Sequence, residues 1–294
     1  MSRKIINYKT EFGRFKQMHR YYREIMPIIS EGDSWYSYPL AGANLMDQLL
    51  LKFEGAINYL RLESSGHEAL DIFESTRSGQ LKKLIKHVKT FQVPIVLMSA
   101  GGNDVVGRSK KELYDVASHS SDVDTLINSS GLNQVLQQIL DRYSVAINAL
   151  VNVNPAVKII THTYDYPAII GKAAPITIRS LGIAAPIVNV LKEIGPWIKP
   201  ILVSKNLTDF HAQYEFAKQL IDKFHDNVLV VLKNNHPIHF DYIDLRGTLQ
   251  MNKNYWNDEI HPNAEGFRLL ADKFWLDLLP IIKGAYVHWR SDYR

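Results

Sequence analysis

Ile25-Met26-Pro27-Ile28-Ile29-Ser30-Glu31-Gly32-Asp33-Ser34-Trp35 decides how the chain is read. The run Ile25 to Ile29 is apolar throughout and short, as expected of a strand buried on both faces of a parallel sheet. Gly32 supplies a tight turn, and a helical pattern begins at about Ala43, with Leu45, Leu49, Leu50 and Phe53 on one face. A serine at such a strand-to-helix turn lies at the carboxyl end of its strand, beside backbone N–H groups that have no helical acceptor. That is a suitable place for a nucleophile whose attack creates an oxyanion. Alone, Gly, Asp and Ser are also ordinary turn residues.

Outward from this turn the chain alternates strands and helices. Residues 8–24 are aromatic and basic and read as a helix or arm leading into the first strand. A second strand is expected at 56–62, ending in Glu63-Ser64-Ser65-Gly66, followed by helices over 67–77 and 79–91. Pro94 to Ala100 reads as a third strand and ends in Gly101-Gly102-Asn103-Asp104. After a polar excursion over 108–130, a long helix is expected from Leu132 to Val151. Val157 to Thr161 reads as strand four, a helix as 207–224, Val228-Leu229-Val230-Val231-Leu232 as strand five, and 263–282 as the last helix. The alternation predicts an α/β fold: one three-layer, doubly wound domain over 1–294 with a central, mainly parallel five-stranded sheet. In such sheets ligands sit outside the carboxyl ends of the strands. Every cluster with chemical character falls there or just before the last helix.

A serine hydroxyl needs a positioned imidazole to take its proton, and the imidazole needs a carboxylate to hold its tautomer. Asp258 and His261, three residues apart in Asp258-Glu259-Ile260-His261-Pro262, supply both from one short loop. The competing reading is a surface loop in which Asp258 caps the helix and His261 is solvated. Candidate oxyanion donors are the backbone N–H groups of Ser34 and Gly66 and the side-chain amide of Asn103. His236 and His239 lack the Cys or carboxylate partners of a metal site, and His162 and Asp165 read as a turn beside the pocket.

Taken together and in order, Gly32-Asp33-Ser34, Gly66, Gly101-Gly102-Asn103-Asp104 and Asp258-x-x-His261 resemble the four blocks of the SGNH, or GDSL-type, hydrolases. The resemblance implies Ser34 as nucleophile, His261 as base, Asp258 as its orienting acid, and Ser34, Gly66 and Asn103 as the oxyanion hole. It also implies a flavodoxin-like five-stranded sheet; no metal or organic cofactor is required, since side chains and water can run every step. Trp35 stands where the family commonly has leucine, so Trp35 and Tyr36 bear on the shape of the pocket. The activity expected is hydrolysis of a carboxylic ester through an acyl-enzyme, with a lipid or phospholipid ester first. Small acyl esters, including acetylated sugars, come next. A catalytically idle α/β binding domain is the reading from another class.

Residues 168–205 interrupt the alternation with Ala, Ile and Pro and carry Lys172, Arg179, Lys192, Lys199 and Lys205. They are expected to form a cap over Ser34 that touches an anionic lipid surface. A buried extension of the core or an oligomer contact is the alternative, and nothing in the sequence sets the oligomeric state. With 34 Lys and Arg against 30 Asp and Glu and no polybasic tract, the chain lacks the concentrated basic stripe of a nucleic-acid binder. The absence of cysteine removes disulfides, thiolate chemistry and Cys-based zinc sites. No secretory signal or membrane span is legible, so a cytoplasmic location is expected, with export without a cleaved leader as the alternative.

Overall fold

The computed structural model describes residues 8–38, 44–53, 55, 57–76, 79–174 and 195–291. Helix α1 (Tyr8–Tyr21) precedes strand β1 (Met26–Gly32) and a one-turn helix α2 (Ser34–Ser37). Then come α3 (Leu45–Lys52), β2 (Ile57–Arg61), α4 (Ala69–Ile72), α5 (Gly79–Phe91), β3 (Ile95–Ser99) and α6 (Gly102–Val105). Helices α7 (Val123–Ile127) and α8 (Ser130–Val153) lead to β4 (Lys158–His162). The remainder is α9 (Lys199–Ser204), α10 (Phe210–Phe224), α11 (Val230–Asn235), β5 (Phe240–Ile243) and α12 (Ala264–Ser291).

All five strands are parallel, in the order β2-β1-β3-β4-β5. The order reverses direction at β1, so the β1–β3 boundary is the topological switch point where such sheets bind ligands. Successive strand residues point to opposite faces, and both faces are apolar. Ile29, Leu60, Val96, Met98 and Ile159 join one buried cluster with α5, α8 and α10. Ile28, Tyr59, Ile95, Leu97 and Ile160 join the other with α3 and α12. The sheet is thus the middle of three layers.

The fifth strand is not where the apolar run suggested. Residues 228–232 are helical: a π-type turn over His225–Leu229 joins α10 to α11 in one run. The buried positions Phe216, Leu220, Phe224, Val228, Leu229 and Leu232 keep helical spacing once the extra residue of the π turn is allowed for. A short Val/Leu run fits either period, and continuity with the preceding helix decides it. The true β5 is polar in its middle, with Asp241 and Tyr242 half-buried, because it pairs with β4 alone and forms a sheet edge.

Other boundaries shifted as well. Helix α12 runs to Ser291 through Pro280, because Leu278, Ile282 and Trp289 continue its buried stripe. The helix expected at 67–77 shrinks to one turn. The Asp104 carboxylate caps it from β3's loop, accepting the N–H groups of Ala69 at 2.7 Å and Leu70 at 3.0 Å. Residues 108–130 hold a 3₁₀ turn (Arg108–Leu113) and α7. Among the described residues, no helix is long and apolar enough to cross a membrane.

Candidate active site

Strand β1 stays buried through Ser30, Glu31 and Gly32 and then turns sharply. A Cβ on Gly32 would collide with the Ser99 carbonyl and lie 2.8 Å from its nitrogen. Glycine therefore lets β1 and β3 close together, and the Asp33 N–H donates to the Ser99 carbonyl at 2.8 Å. Asp33 is fully buried and caps α2, its Oδ1 accepting from the Trp35 N–H at 3.0 Å and the Ser99 hydroxyl at 2.7 Å. The Tyr164 hydroxyl donates to Oδ2 at 2.5 Å. Burial pushes the Asp33 carboxyl up, and these donors work against that shift. Asp33 thus fixes the turn that presents Ser34.

Ser34 is the first residue of α2, so its N–H has no intrahelical acceptor. Its Oγ lies 2.7 Å from His261 Nε2, and His261 Nδ1 lies 2.9 and 3.0 Å from the two Asp258 oxygens. The three residues are 6%, 4% and 0% exposed, so water does not compete for these bonds. Asp258 also accepts the N–H groups of Ile260 and His261 and the Tyr38 hydroxyl at 2.8 Å. Burial alone would raise its carboxyl, but the facing His261 and these donors outweigh burial and leave it below its ordinary value. The carboxylate is therefore ionised at neutral pH. The surface-loop alternative, with a solvated His261, does not describe this arrangement.

Aromatic side chains hold the imidazole. The Tyr38 ring packs 4.2 Å from it, centroid to centroid, and the Trp197 ring meets it edge-on at 5.4 Å. Trp35 donates its indole N–H to the Ile260 carbonyl at 3.0 Å, tying the Ser34 turn to the His261 loop. The aromatic bulk after Ser34 therefore splits into separate tasks. Trp35 lines the pocket, Tyr36 is buried in the core, and Tyr38 braces Asp258 and His261.

The proposed oxyanion donors come from three different loops. The Asn103 amide donates one N–H to the His67 carbonyl at 2.9 Å, leaving its second for the pocket that Asn103 and Ser34 both line. Gly66, with φ +85°, occupies the exposed turn one residue before His67. Among the described residues, the N–H groups of Ser34 and Gly66 have no protein acceptor. His162 is buried among Trp35, Tyr36, Tyr164 and Phe274, and Asp165 accepts the N–H groups of Gly247 and Leu249 where it lines the pocket beside Ser34. Among the described residues, no cluster of three His, Cys, Asp or Glu groups could hold a metal.

Beneath this region, Glu31 points toward His67. Its Oε1 lies 3.9 Å from His67 Nδ1, while Oε2 is buried without a partner. Burial pushes the Glu31 carboxyl up to about 7 from 4.5. The folded state therefore favours the protonated form. Its contribution to stability is full below about pH 4.5 and is lost as pH rises through about 7. Denaturant midpoints at pH 5 and pH 9 check this: Glu31→Gln should gain on the wild type as pH rises. Parallel pH–stability curves for the two proteins would contradict it.

The pocket beside Ser34 is apolar, walled by Val105, Val106, Ile198, Leu220, Phe224 and Ile260, with a free volume of about 70 Å³. A larger cleft of about 780 Å³ lies at the other end of the sheet, near Pro94, Ala156 and His239, far from this chemistry. Of the expected cap, residues 175–194 lie outside the described residues. The described flanks bury Ala168, Ile170, Ile198, Ile201 and Leu202 against the core.

No family model matches the chain, and no curated protein sequence matches it. Solved structures are similar to it. The lipase Lip_vut3 from a goat rumen metagenome is 13% identical, with a TM-score of 0.52 over 85% of this chain and 95% of that one. Phospholipase A1 from Streptomyces albidoflavus NA297 is 14% identical over 85% and 99%, with a TM-score of 0.49. A carbohydrate esterase family 3 protein from Talaromyces cellulolyticus is 14% identical over 88% and 99%, with a TM-score of 0.45. The first likeness establishes a shared fold: a five-stranded parallel sheet between helices.

Proposed function

We propose that the protein is a serine hydrolase of the SGNH type, cleaving carboxylic esters through an acyl-enzyme on Ser34. The observation that carries this reading is the continuous hydrogen-bond chain from Ser34 Oγ through His261 to Asp258. It opens on an apolar pocket lined by Ser34 itself. In the forward step His261 Nε2 takes the hydroxyl proton while Oγ attacks the ester carbonyl. Asp258 stabilises the resulting imidazolium. The negative charge that develops on the carbonyl oxygen is met by the Ser34 and Gly66 N–H groups and the free Asn103 N–H. Collapse of the tetrahedral intermediate expels the alcohol, which takes the proton from His261. Water, activated by the same imidazole, then releases the acid. Side chains and water suffice for every step.

The pocket favours an acyl chain over a polar acyl group, because its walls are almost wholly apolar. A volume of about 70 Å³ is only two to three times the ~30 Å³ that a water takes up in the liquid, which suits a chain of a few carbons. A short-chain acyl ester is the substrate class this supports best. A lipid ester is the second reading: the same apolar lining supports it, as does the lipase whose fold the chain shares. Turnover of p-nitrophenyl acetate, butyrate and octanoate, with and without anionic liposomes, separates the two. A peak at butyrate without liposomes supports the first, and activation of octanoate cleavage by liposomes supports the second. No turnover of any ester by the wild type would refute the hydrolase reading.

Replacing Asn103 by alanine should lower kcat by about 10²–10³-fold with little change in KM, because an oxyanion donor acts on charge that exists only in the transition state. Steady-state kinetics with the butyrate ester measure both constants. A rise in KM at constant kcat would place Asn103 outside the oxyanion hole.

A further inference from the structure

Glu259 lies between Asp258 and His261, is fully buried, and has no place in the proton transfers. Its carboxylate gathers the chain on both sides of the 175–194 segment. Oε1 accepts the N–H groups of Gly171 at 2.7 Å and Lys199 at 3.0 Å, and Oε2 accepts that of Ile198 at 2.5 Å. In return the Glu259 N–H donates to the Lys172 carbonyl at 3.0 Å. A carboxylate offers about four acceptor sites, so one side chain can bind donors from two separate stretches at once. An amide keeps only one oxygen and brings an N–H toward donors that need an acceptor.

The residues held this way are the ones that face the site. Trp197, half-buried, sets its ring edge against His261, and Ile198 forms part of the pocket wall beside Ser34. Ile198 also joins Val105, Val106 and Leu220 in the apolar packing behind that pocket. The two residues have no contact with the histidine loop along the chain, since they lie some sixty positions away. The Glu259 carboxylate ties the backbone of both to it, and the Trp197 ring meets His261 directly.

Resting on the ester-hydrolase reading above, we propose that Glu259 is a positioning residue that sets acyl-chain selectivity, by holding Ile198 as a fixed wall of the acyl pocket and Trp197 against His261 beside it. The catalytic atoms do not depend on it directly, since Asp258 and His261 are braced by Tyr38 and by their own loop amides. Losing the wall therefore alters which chain fits more than it alters the chemical step.

The test compares kcat/KM for p-nitrophenyl butyrate and octanoate in wild type, Glu259→Gln and Ile198→Ala, with hydrogen–deuterium exchange on the full chain. In Glu259→Gln the butyrate-to-octanoate ratio should fall at least about tenfold, most of it through KM, as expected when a ground-state contact is lost. Ile198→Ala alters the wall without touching the carboxylate and should move the ratio in the same direction. It keeps the proposal open to refutation even if Glu259→Gln fails to fold. Exchange of the Gly171, Ile198 and Lys199 amides should be slow in the wild type and at least about tenfold faster in Glu259→Gln, with β1 amides unchanged. An unchanged ratio with both esters losing activity in proportion would reduce Glu259 to a structural role and overturn the proposal. So would fast exchange of those amides in the wild type. Absence of ester turnover in the wild type would instead sink the hydrolase reading, while the exchange result would still report on the clasp.

Discussion

Ser34→Ala should abolish measurable ester turnover, with kcat falling by about 10⁴-fold or more, while the protein stays folded. The size follows from the geometry. Ser34 Oγ is the atom within hydrogen-bond reach of the buried His261 Nε2, so its removal takes away the attacking atom and leaves the base nothing to activate. Stability should barely change, because the α2 cap belongs to Asp33 and the serine side chain has no structural partner beyond the imidazole. Turnover of the butyrate ester and the thermal midpoint, measured side by side, check both halves. Retained turnover would remove Ser34 from the mechanism. Loss of folding together with activity would leave the chemistry to be tested by Asp258.

Asp258→Asn should lower kcat by about 10⁴-fold with the backbone intact. The carboxylate accepts from His261 Nδ1, from two backbone N–H groups and from Tyr38. An asparagine oxygen can serve the backbone donors, but its NH₂ then faces either Tyr38 or the imidazole, and no negative charge remains to stabilise the imidazolium. The wrong tautomer, with Nε2 protonated, cannot take the serine proton. Because the Asp258 carboxyl lies below its ordinary value of 3.8, it stays ionised through the mildly acidic range. The Asp258 carboxyl should therefore add no acid limb of its own to the pH–rate profile in the mildly acidic range. A second acid limb between pH 4 and 6 that disappears in Asp258→Asn would contradict this. So would an asparagine variant with near-normal kcat.

Most of the sheet could be read from the chain because its interior strands are buried on both faces. A run such as Pro94 to Ala100, bounded by Pro94 and Gly101, fits such a strand. The edge escaped for the same reason. Strand β5 is half-exposed and carries Asp241 and Tyr242, so it lacks the apolar run that marks a buried strand. Val228 to Leu232 has that run and is helical, because the stripe set up by Phe216, Leu220 and Phe224 continues through it.

The site divides along similar lines. Ser34, Gly66 and Asn103 lie in short motifs after strands and Asp258 and His261 in one just before α12; hydrogen bonds join Ser34, His261 and Asp258, and Asn103 lines the same pocket as Ser34. The residues that support them were not legible, because their partners are remote in sequence. Tyr38 reaches Asp258 across 220 positions, Glu259 holds Ile198 across 61, and Glu31 faces His67 from a strand interior. Glu259 and Glu31 did leave one signal. A glutamate between Asp258 and His261, or ending an apolar strand, is a candidate for burial, and a buried carboxyl needs either donors or a proton. Glu259 has the donors, and burial moves the Glu31 carboxyl up to about 7, toward its protonated form.

The central claim is a covalent acyl group on Ser34, and one measurement addresses it directly. Wild-type protein is mixed with excess p-nitrophenyl butyrate, quenched in acid within milliseconds to seconds, digested and analysed by mass spectrometry. The account predicts one butyryl group, carried by the peptide containing Ser34, that forms on mixing and decays as substrate is consumed. A quenched protein that turns over the ester without any butyryl group on Ser34, or that carries it on another residue, would contradict the account.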